Sequence, residues 1–349
     1  MIQTRISRLR QNLDSDSSLL VSNPVNIRYL SGFSGSNGLL LVSMDSVFLI
    51  TDSRYKIQSQ QECSELDTVI GRDLYESALN LLNTKNLAIE GQSLTVDNWQ
   101  RLQSKVSNLF ASGPIVEELR IVKDPNEIAL IKTACEISTN ALAHVQDKIE
   151  IGMSERQIAR LLDTEMFDFG AQAIAFPTIV ATGANSAIPH HQPTDRPLAK
   201  GDLLKIDFGA RFDGYHADCT RTFVAGKPDN WQRDLHEKVL ASQQAGVKAL
   251  VAGVDFQRVV ESSNAPLEDA EMLDKFTHGL GHGVGLEIHE QPFLSSANGG
   301  KIAERTIVTI EPGVYLPNVG GIRIEDTVVV TSLASEVLTK FTYELTSVG

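Results

Sequence analysis

The sequence predicts two domains, a smaller α/β domain followed by a larger α+β domain. Two observations support this. Short strand-like and helix-like segments alternate in residues 1–120, whereas long helices flank two β-rich blocks in residues 121–349. Asp124 and Pro125 suit the N-cap and the first position of a long helix, which indicates a boundary just before them. With 349 residues, the chain is long enough for two domains with separate cores.

The elements of the first domain are short. The runs VFLITD and NLAIEG are typical of strands, whereas YKIQSQQE, YESALNLLN and VDNWQRLQSKV are typical of helices. The N-terminal run MIQTRISRLRQNLDS has arginines and alternating apolar residues, but no apolar core of signal-peptide length. We predict a short amphipathic helix there.

Three helices are predicted in the second domain. The first follows Pro125, and the second begins at Ser154, which forms a capping-box pattern with Gln157. The third runs through WQRDLHEKVLASQQAGVKALV. Further along, the segment SSNAP at 262–266 breaks the helical pattern, so we expect an interruption there.

Two acids lie on the first predicted hairpin. LLKIDFGARF and YHADCTRTF are strand-like, and Asp213-Gly214 between them is a preferred two-residue turn. If Phe212 pairs with Tyr215, Asp207 lies opposite Thr220 and is a diagonal neighbour of Asp218. Their Cβ atoms would be roughly 7 Å apart or less.

Two more acids lie on a second predicted hairpin. TIVTIEPGVYL and GIRIEDTVVV flank Pro317-Asn318-Val319-Gly320, and Glu311 and Glu325 are symmetric about Asn318. A hairpin therefore brings these two carboxylates face to face. Buried acids flanked by apolar residues are costly without a cation.

His282 is predicted on a third element. HGLGHGVGLEIHE contains four glycines in thirteen residues, so a helix is disfavoured and an extended strand is expected. The helical two-histidine zinc motif is excluded, because Gly279 stands where its glutamate is required. Four carboxylates and one imidazole suit a site for two divalent ions, so the sequence predicts a dinuclear metallohydrolase.

These motifs resemble the "pita-bread" metallopeptidases: aminopeptidase P, prolidase and methionine aminopeptidase. The resemblance rests on IDFGA, DCTRTF, HGLGHGVGLEIHE, TIEPGVY and GIRIEDTVVVT, and covers most of residues 123–349. Upstream, AIPHHQPTD matches the proline-specific members, and NIRYLSGFSGSNGLLLV and LITDSRY resemble the N-terminal domain of aminopeptidase P, prolidase and creatinase. The resemblance implies a pita-bread catalytic domain at 121–349 and a creatinase-like domain at 1–120.

The resemblance also implies roles for individual residues. Asp207 would bind one metal, Asp218 and Glu325 would bridge both, and His282 and Glu311 would bind the second, with Glu311 also acting as general base. The remaining candidates are His190 and His289 at the substrate carbonyl or tetrahedral intermediate, and His278 in the pocket for the proline ring.

Position along the strands suggests three further assignments. Arg323 lies two residues before Glu325, hence on the same face, and could pair with a ligand carboxylate or bind substrate. Tyr315 follows Glu311 by four residues and could hydrogen-bond near the metals. His191 is expected at the surface, pointing away from its neighbour His190.

The leading functional hypothesis is an aminopeptidase P-like exopeptidase acting on Xaa-Pro bonds, and the alternative is an Xaa-Pro dipeptidase. Some prolidase-like members carry an arginine four residues after the position of His289, where this chain has Phe293. That difference favours the aminopeptidase. Two remote alternatives are a creatinase-like C–N hydrolase without metal and a non-catalytic binding protein, both of which lose the ligands.

The whole-chain properties exclude several classes. A net charge of −13 argues against a nucleic-acid binder, and no apolar run is long enough to cross a membrane. Three widely spaced cysteines suggest a reducing cytoplasm.

The expected partners are short proline-containing peptides. The oxygen-rich ligands favour Mn²⁺ over Co²⁺ or Zn²⁺, and the resemblance implies a homodimer.

Overall fold

The computed structural model describes residues 2–295 and 297–349. These divide into two compact units, one ending at Arg120 and the other running Ile121–Gly349. Each is built from mixed helices and strands. Among the described residues, no helix is both long enough and apolar enough to cross a membrane.

A six-stranded sheet forms the centre of the first unit, in the order β4-β3-β2-β1-β5-β6. The strands β1–β3 pair antiparallel, whereas β4, β5 and β6 join in parallel. The strands are β1 (Ser17–Val21), β2 (Gly38–Val42), β3 (Val47–Thr51), β4 (Asp67–Ile70), β5 (Asn86–Ile89) and β6 (Asn108–Ala111). The helices are α1 (Ile2–Arg10), α2 (Pro24–Ser31), α3 (Lys56–Glu62), α4 (Leu74–Leu81), α5 (Val96–Gln103) and α6 (Ile115–Ile121). Each predicted helix and strand of this unit is confirmed.

The α-helices among the described residues of the second unit are α7 (Pro125–Gln146), α8 (Glu155–Asp168), α9 (Asn230–Ala249) and α10 (Phe256–Asp269). The predicted caps are present. Asp124 accepts hydrogen bonds from the backbone of Asn126 and Glu127, and Ser154 forms a capping box with Gln157. These polar residues satisfy the free N–H groups of the first helical turn, which fixes where α7 and α8 begin.

The predicted interruption at SSNAP is wrong. Helix α10 continues through this segment with Pro266 inside it. Its buried residues Val259, Ser263 and Leu267 form one face, and the Ser242 hydroxyl of α9 donates to the Ser263 carbonyl at 2.6 Å. Packing against α9 therefore outweighs the local preference for a break.

In the part of the second unit that the structure describes, the strands form four sheets, ordered β20-β12-β9-β8, β14-β13-β15-β18-β19, β11-β10-β7 and β16-β17. The first eight strands in chain order are β7 (Ala173–Ile174), β8 (Ile179–Thr182), β9 (Leu203–Phe208), β10 (Ala210–Phe212), β11 (Tyr215–His216), β12 (Cys219–Ala225), β13 (Gly281–Gly283) and β14 (Glu290–Leu294). The others are β15 (Ile307–Ile310), β16 (Gly313–Leu316), β17 (Gly320–Arg323), β18 (Asp326–Val330), β19 (Ser335–Val337) and β20 (Ser347–Val348). Short 3-10 helices lie at Ser53–Tyr55, Gly183–Ala187 and Leu273–Lys275.

One backbone contact joins the two largest sheets of this unit. The Glu325 N–H donates to the Thr220 carbonyl at 3.1 Å, forming an isolated antiparallel bridge between the ends of β12 and β18. Because the predicted acids lie at these strand ends, the bridge brings the two hairpins to a common site.

Candidate metal centre

The first hairpin has the predicted register. Phe212 pairs with Tyr215, and Asp207 lies opposite Thr220. Asp213 and Gly214 both have positive φ, 44° and 80°, as a two-residue type I′ turn requires. Gly209 is required by close packing, since a Cβ there would lie 1.9 Å from the Ala217 carbonyl oxygen. Asp207 and Asp218 consequently face the same side.

The second hairpin also has the predicted register. Tyr315 pairs with Gly321 in the outer β16–β17 ribbon, and Ile310 pairs with Asp326 where β15 meets β18. Glu311 and Glu325 lie between these two sheets, opposite one another. The change of sheet at this point turns both carboxylates toward the first hairpin.

His282 lies on the short, extended strand β13. Its neighbour Gly281 allows close contact, because a Cβ there would lie 1.9 Å from the Thr309 carbonyl oxygen. The His282 Nδ1 contacts the Gly283 carbonyl at 3.0 Å, so Nε2 faces the acids. Nε2 is 3.5 Å from Asp218 Oδ2 and 3.5 Å from Glu311 Oε1.

The five residues thus form one cluster. Ligand atoms lie within 4.8 Å of one another in two overlapping groups, one of Asp207, Asp218 and Glu325 and one of His282, Glu311 and Glu325. A third such group joins Asp218 and His282 to His289. Asp218 and Glu325 are buried, and Glu325 is shared by the first two groups.

The electrostatics of the cluster show that its acids are poorly compensated. Burial raises the pKa of Asp218 well above its usual range, and the charges of Glu325 and Asp207 raise it further. Burial has the same effect on the pKa of Glu325. The pKa of Glu311 rises to about 7, chiefly through burial. Burial lowers the pKa of His282 to about 4, which favours the neutral imidazole that a metal requires.

These residues fit divalent metal ions. The buried Asp207 Oδ1 has no hydrogen-bond partner among the described residues, although buried polar atoms are normally paired. Closely spaced carboxylates that raise each other's pKa need a cation nearby. Carboxylate oxygens with one imidazole nitrogen suit Mn²⁺, Co²⁺ or Zn²⁺.

A cavity of about 330 Å³ opens onto the cluster. His190, His278 and His289 line it together with the four acids and the His282 imidazole. The His289 ring stacks edge-on against His282 with ring centroids 4.3 Å apart. Burial lowers the pKa of His289, with a further contribution from His190. Apolar parts of the wall come from Phe176, Ile179 and Phe293.

Arg323 also lines the cavity and forms a buried ion pair with Asp207. It donates to the Thr220 hydroxyl and the Tyr315 hydroxyl, each at 3.0 Å. Tyr315 contacts His278 Nε2 at 2.8 Å but lies behind His278, outside the residues that line the cavity. Through these contacts, Arg323 and Tyr315 connect the predicted metal ligand Asp207 to His278, the predicted substrate contact.

The expectation that His191 is at the surface is wrong. Its ring is buried, and Nε2 contacts the fully buried Glu155 carboxylate at 2.8 Å. Thr220 lies opposite Asp207 as predicted, whereas Glu155 and Lys205 are not predicted from the sequence as parts of this region. Lys205 lies on a predicted strand at a position that alternation assigns to the same face as Asp207, whereas no sequence signal marks Glu155, which is the first helical residue after the N-cap Ser154.

An α+β unit that joins four acids and an imidazole at one cavity defines a metal-dependent hydrolase. The chain belongs to metallopeptidase family M24, whose family model matches residues 129–332. Residues 5–122 match the creatinase/prolidase N-terminal domain. The predicted family, fold class and enzyme class are confirmed, and membership implies use of a divalent metal.

Similar proteins cover the whole chain. An Xaa-Pro dipeptidase of Pyrococcus furiosus is 35% identical over 99% of this chain and 100% of its own length. Among solved structures, an Xaa-Pro dipeptidase from Bacillus anthracis is 33% identical with a TM-score of 0.95, covering 100% of both chains. An X-Pro aminopeptidase from Thermotoga maritima is 34% identical with a TM-score of 0.92, covering 100% of this chain and 99% of its own.

Proposed function

We propose that this protein is a metal-dependent exopeptidase that hydrolyses Xaa-Pro bonds, with Xaa-Pro dipeptides as its first substrate class. The observation that carries the proposal is the cavity in which four acids and His282 lie beside His190 and His289. The sequence alone favours the aminopeptidase. The similar proteins named Xaa-Pro dipeptidase favour the reverse order.

Asp207, Asp218, His282, Glu311 and Glu325 would hold two divalent ions, with Asp218 and Glu325 shared between them. Bound ions would polarise the substrate carbonyl and lower the pKa of a water molecule. The oxygen-rich ligand set supports Mn²⁺. Arg323 would hold Asp207 in place through their ion pair.

The remaining groups would act on protons and on developing charge. The Glu311 carboxylate would accept the proton of the attacking water. The imidazoles of His190 and His289 would each donate one N–H to the oxygen that becomes negative in the transition state. His278 would contact the proline ring, held there by its hydrogen bond to Tyr315.

One observation favours the aminopeptidase as a second candidate. A dipeptide places its C-terminal carboxylate inside the cavity, where a cation would stabilise it. The only cationic side chain among the described lining residues, apart from histidines, is Arg323, which already pairs with Asp207. Phe293 on the wall is apolar and 38% exposed, which suits a longer peptide that continues outward.

The experiment compares Ala-Pro with Ala-Pro-Ala, using protein loaded with Mn²⁺ and a chelated control. The proposal expects metal-dependent hydrolysis of the dipeptide. Cleavage of the tripeptide alone would establish the aminopeptidase, and cleavage of neither peptide by metal-loaded protein would contradict both candidate functions.

A substitution at Phe293 tests the role of the cavity wall. Phe293→Arg should raise kcat/KM for the dipeptide about tenfold by adding a cation that can pair with the dipeptide carboxylate. Phe293→Leu is the matched control and should not.

Two properties of the whole molecule complete the proposal. The cysteines Cys63, Cys135 and Cys219 are buried free thiols, which supports a cytoplasmic location. A homodimer is expected from the family resemblance. Light scattering that gives a mass near 38.1 kDa would contradict the dimer.

A further inference from the structure

His190 lies on a segment without helix or strand, residues 188–194, between the 3-10 helix Gly183–Ala187 and β9. Its side chain is exposed on the cavity wall. Backbone hydrogen bonds hold only its two ends, from the Ile188 N–H to the Asn185 carbonyl at 2.9 Å and from the Arg156 N–H to the Thr194 carbonyl at 3.1 Å. The residues around His190 therefore also depend on contacts made by side chains from other elements. Two fully buried charged residues make such contacts from opposite ends.

Glu155 contacts the segment from its C-terminal end. Its Oε2 accepts from the Thr194 backbone N–H at 2.8 Å and the Thr194 hydroxyl at 2.6 Å, and lies 2.8 Å from His191 Nε2. Its Oε1 accepts from the Thr182 N–H at 2.8 Å and from the Asn185 amide at 2.9 Å. One carboxylate thus joins β8, the 3-10 helix and the residues directly after His190.

The carboxylate of Glu155 is well compensated. Burial alone would raise its pKa, but hydrogen bonds from Thr194, Asn185, His191 and Thr182 outweigh it and lower the pKa to about 2. Glu155 is therefore ionised at neutral pH and keeps all of these acceptor contacts.

Lys205 contacts the N-terminal end of the segment. Its Nζ donates to the Ile188 carbonyl at 2.7 Å and to the Pro189 carbonyl at 3.2 Å, directly before His190. Arg323 donates to the same Pro189 carbonyl at 3.1 Å. Both the amine and the ammonium form of a lysine carry N–H donors, so these contacts do not depend on its protonation state.

We propose that Glu155 and Lys205 are positioning residues that together fix His190 at the cavity wall. Neither touches the cavity, and an apolar residue of similar size would be less costly to bury at either position. Their shared effect is to tie the residues on both sides of His190 to rigid elements, α8 and β9. Correct placement matters because an error of 1 Å in a group at the reacting centre costs up to about 10²-fold in rate.

The inference rests on the proposed function, in which His190 contacts the substrate. A double-mutant cycle tests it: Glu155→Gln and Lys205→Met are measured in the wild-type and the His190→Ala backgrounds, with metal content determined for each. Each variant should lower kcat about tenfold or more in the wild type, with a smaller change in KM. Neither should lower it further when His190 is absent. Equal losses in both backgrounds, or full activity of His190→Ala, would overturn the proposal.

Glu90→Gln is a matched control from the first unit. Glu90 is also a buried carboxylate, and it accepts from the backbone of Ser22 and Asn23 at 2.6 and 2.7 Å. This variant disturbs a similar hydrogen-bonded acid outside the catalytic unit. It should leave kcat unchanged in both backgrounds.

Hydrogen exchange provides a readout that needs no activity. In Glu155→Gln and Lys205→Met, the amides of residues 182–194 should exchange faster, while those of α9 and β18 should not change. Unchanged exchange in 182–194 would overturn the inference. If the wild type hydrolyses no Xaa-Pro peptide, the proposed function fails, and this measurement still decides whether the two residues fix the segment.

Discussion

Glu325 and Asp326 are consecutive buried acids with opposite surroundings. Strand alternation turns Glu325 toward the cavity and Asp326 toward the core. Asp326 accepts four hydrogen bonds, from Arg221 at 2.8 Å, Thr339 at 2.7 Å, Gln243 at 2.7 Å and Tyr343 at 2.8 Å. Glu325 accepts one from the Thr220 hydroxyl, at 2.6 Å, and faces other acids.

The difference separates two uses of a buried charge. On the core face, the chain itself supplies every partner of the carboxylate, so the acid contributes to the folded structure. On the cavity face, Arg323 pairs with Asp207, but burial and mutual repulsion still raise the pKa of Asp218 and Glu325, so these acids are left for a further cation to compensate. Substitutions on the two faces should therefore affect different properties of the protein.

The largest expected effect is loss of activity from the cavity face. Asp218→Asn should reduce kcat/KM by at least about 10³-fold, since the electrostatic stabilisation of the transition state is lost. The free energy of unfolding of the metal-free protein should not fall, because one of several repelling charges is removed. Denaturant unfolding with chelator present, alongside peptide hydrolysis, measures both. A variant that keeps activity in metal-controlled buffer would contradict the account.

The opposite result is expected on the core face. Asp326→Asn should lower the free energy of unfolding by about 3–5 kcal/mol, because Arg221 is left buried without its ion-pair partner. Urea unfolding of the metal-free protein measures the change. If Asp326→Asn destabilises no more than Asp218→Asn, the two faces do not differ as proposed.

The pH dependence of the free energy of unfolding should reveal how unfavourable the buried charges of the cavity acids are. The folded-state pKa of Glu311 is raised to about 7, so folding binds a proton that the unfolded chain releases near its ordinary value of 4.5. The contribution of Glu311 to the free energy of unfolding is therefore present below about pH 4.5 and is lost as pH rises through 7.

A substitution isolates this contribution from that of other groups. Metal-free Glu311→Gln should be more stable than the metal-free wild type at pH 8, by on the order of 1–3 kcal/mol. The gap should shrink as pH falls toward 5. Urea unfolding of both proteins across this range checks it, and a gap that widens at low pH would reverse the sign of the argument.

The smallest effect is expected at the edge of the cavity face. Tyr315→Phe removes the hydroxyl that contacts both His278 and Arg323 but leaves the metal ligands in place. A loss of about three- to tenfold in kcat/KM, mostly through KM, is expected because His278 and Arg323 each lose a hydrogen bond without any change of metal ligand. Metal content should stay that of the wild type. A loss as large as that of Asp218→Asn would place Tyr315 among the principal groups.

The local parts of the site could be predicted from the sequence. The Asp213-Gly214 turn fixes the register that places Asp207 beside Asp218, and symmetry about Asn318 does the same for Glu311 and Glu325. Capping residues located the starts of α7 and α8. Each of these follows from short-range geometry, because turn type and strand alternation leave few choices.

Contacts between elements distant in the chain could not be predicted in this way. The burial of His191 depends on Glu155, 36 residues earlier, and the continuity of α10 depends on packing against α9. The bridge from Thr220 to Glu325 joins two sheets across about a hundred residues of chain. Local sequence patterns do not identify partners that are distant in the chain, which is why the contacts of Glu155 and Lys205 with the His190 segment are not predicted.

Metal stoichiometry shows whether the cavity acids hold a pair of ions. Chelator-stripped wild type, Asp218→Asn and Asp326→Asn are titrated with Mn²⁺ in a calorimeter at pH 8. We expect two ions bound per chain in the wild type and in Asp326→Asn under conditions where it is folded, and fewer than two in Asp218→Asn. A wild type that binds no Mn²⁺, or an Asp218→Asn variant that binds two ions with wild-type affinity, would contradict this expectation.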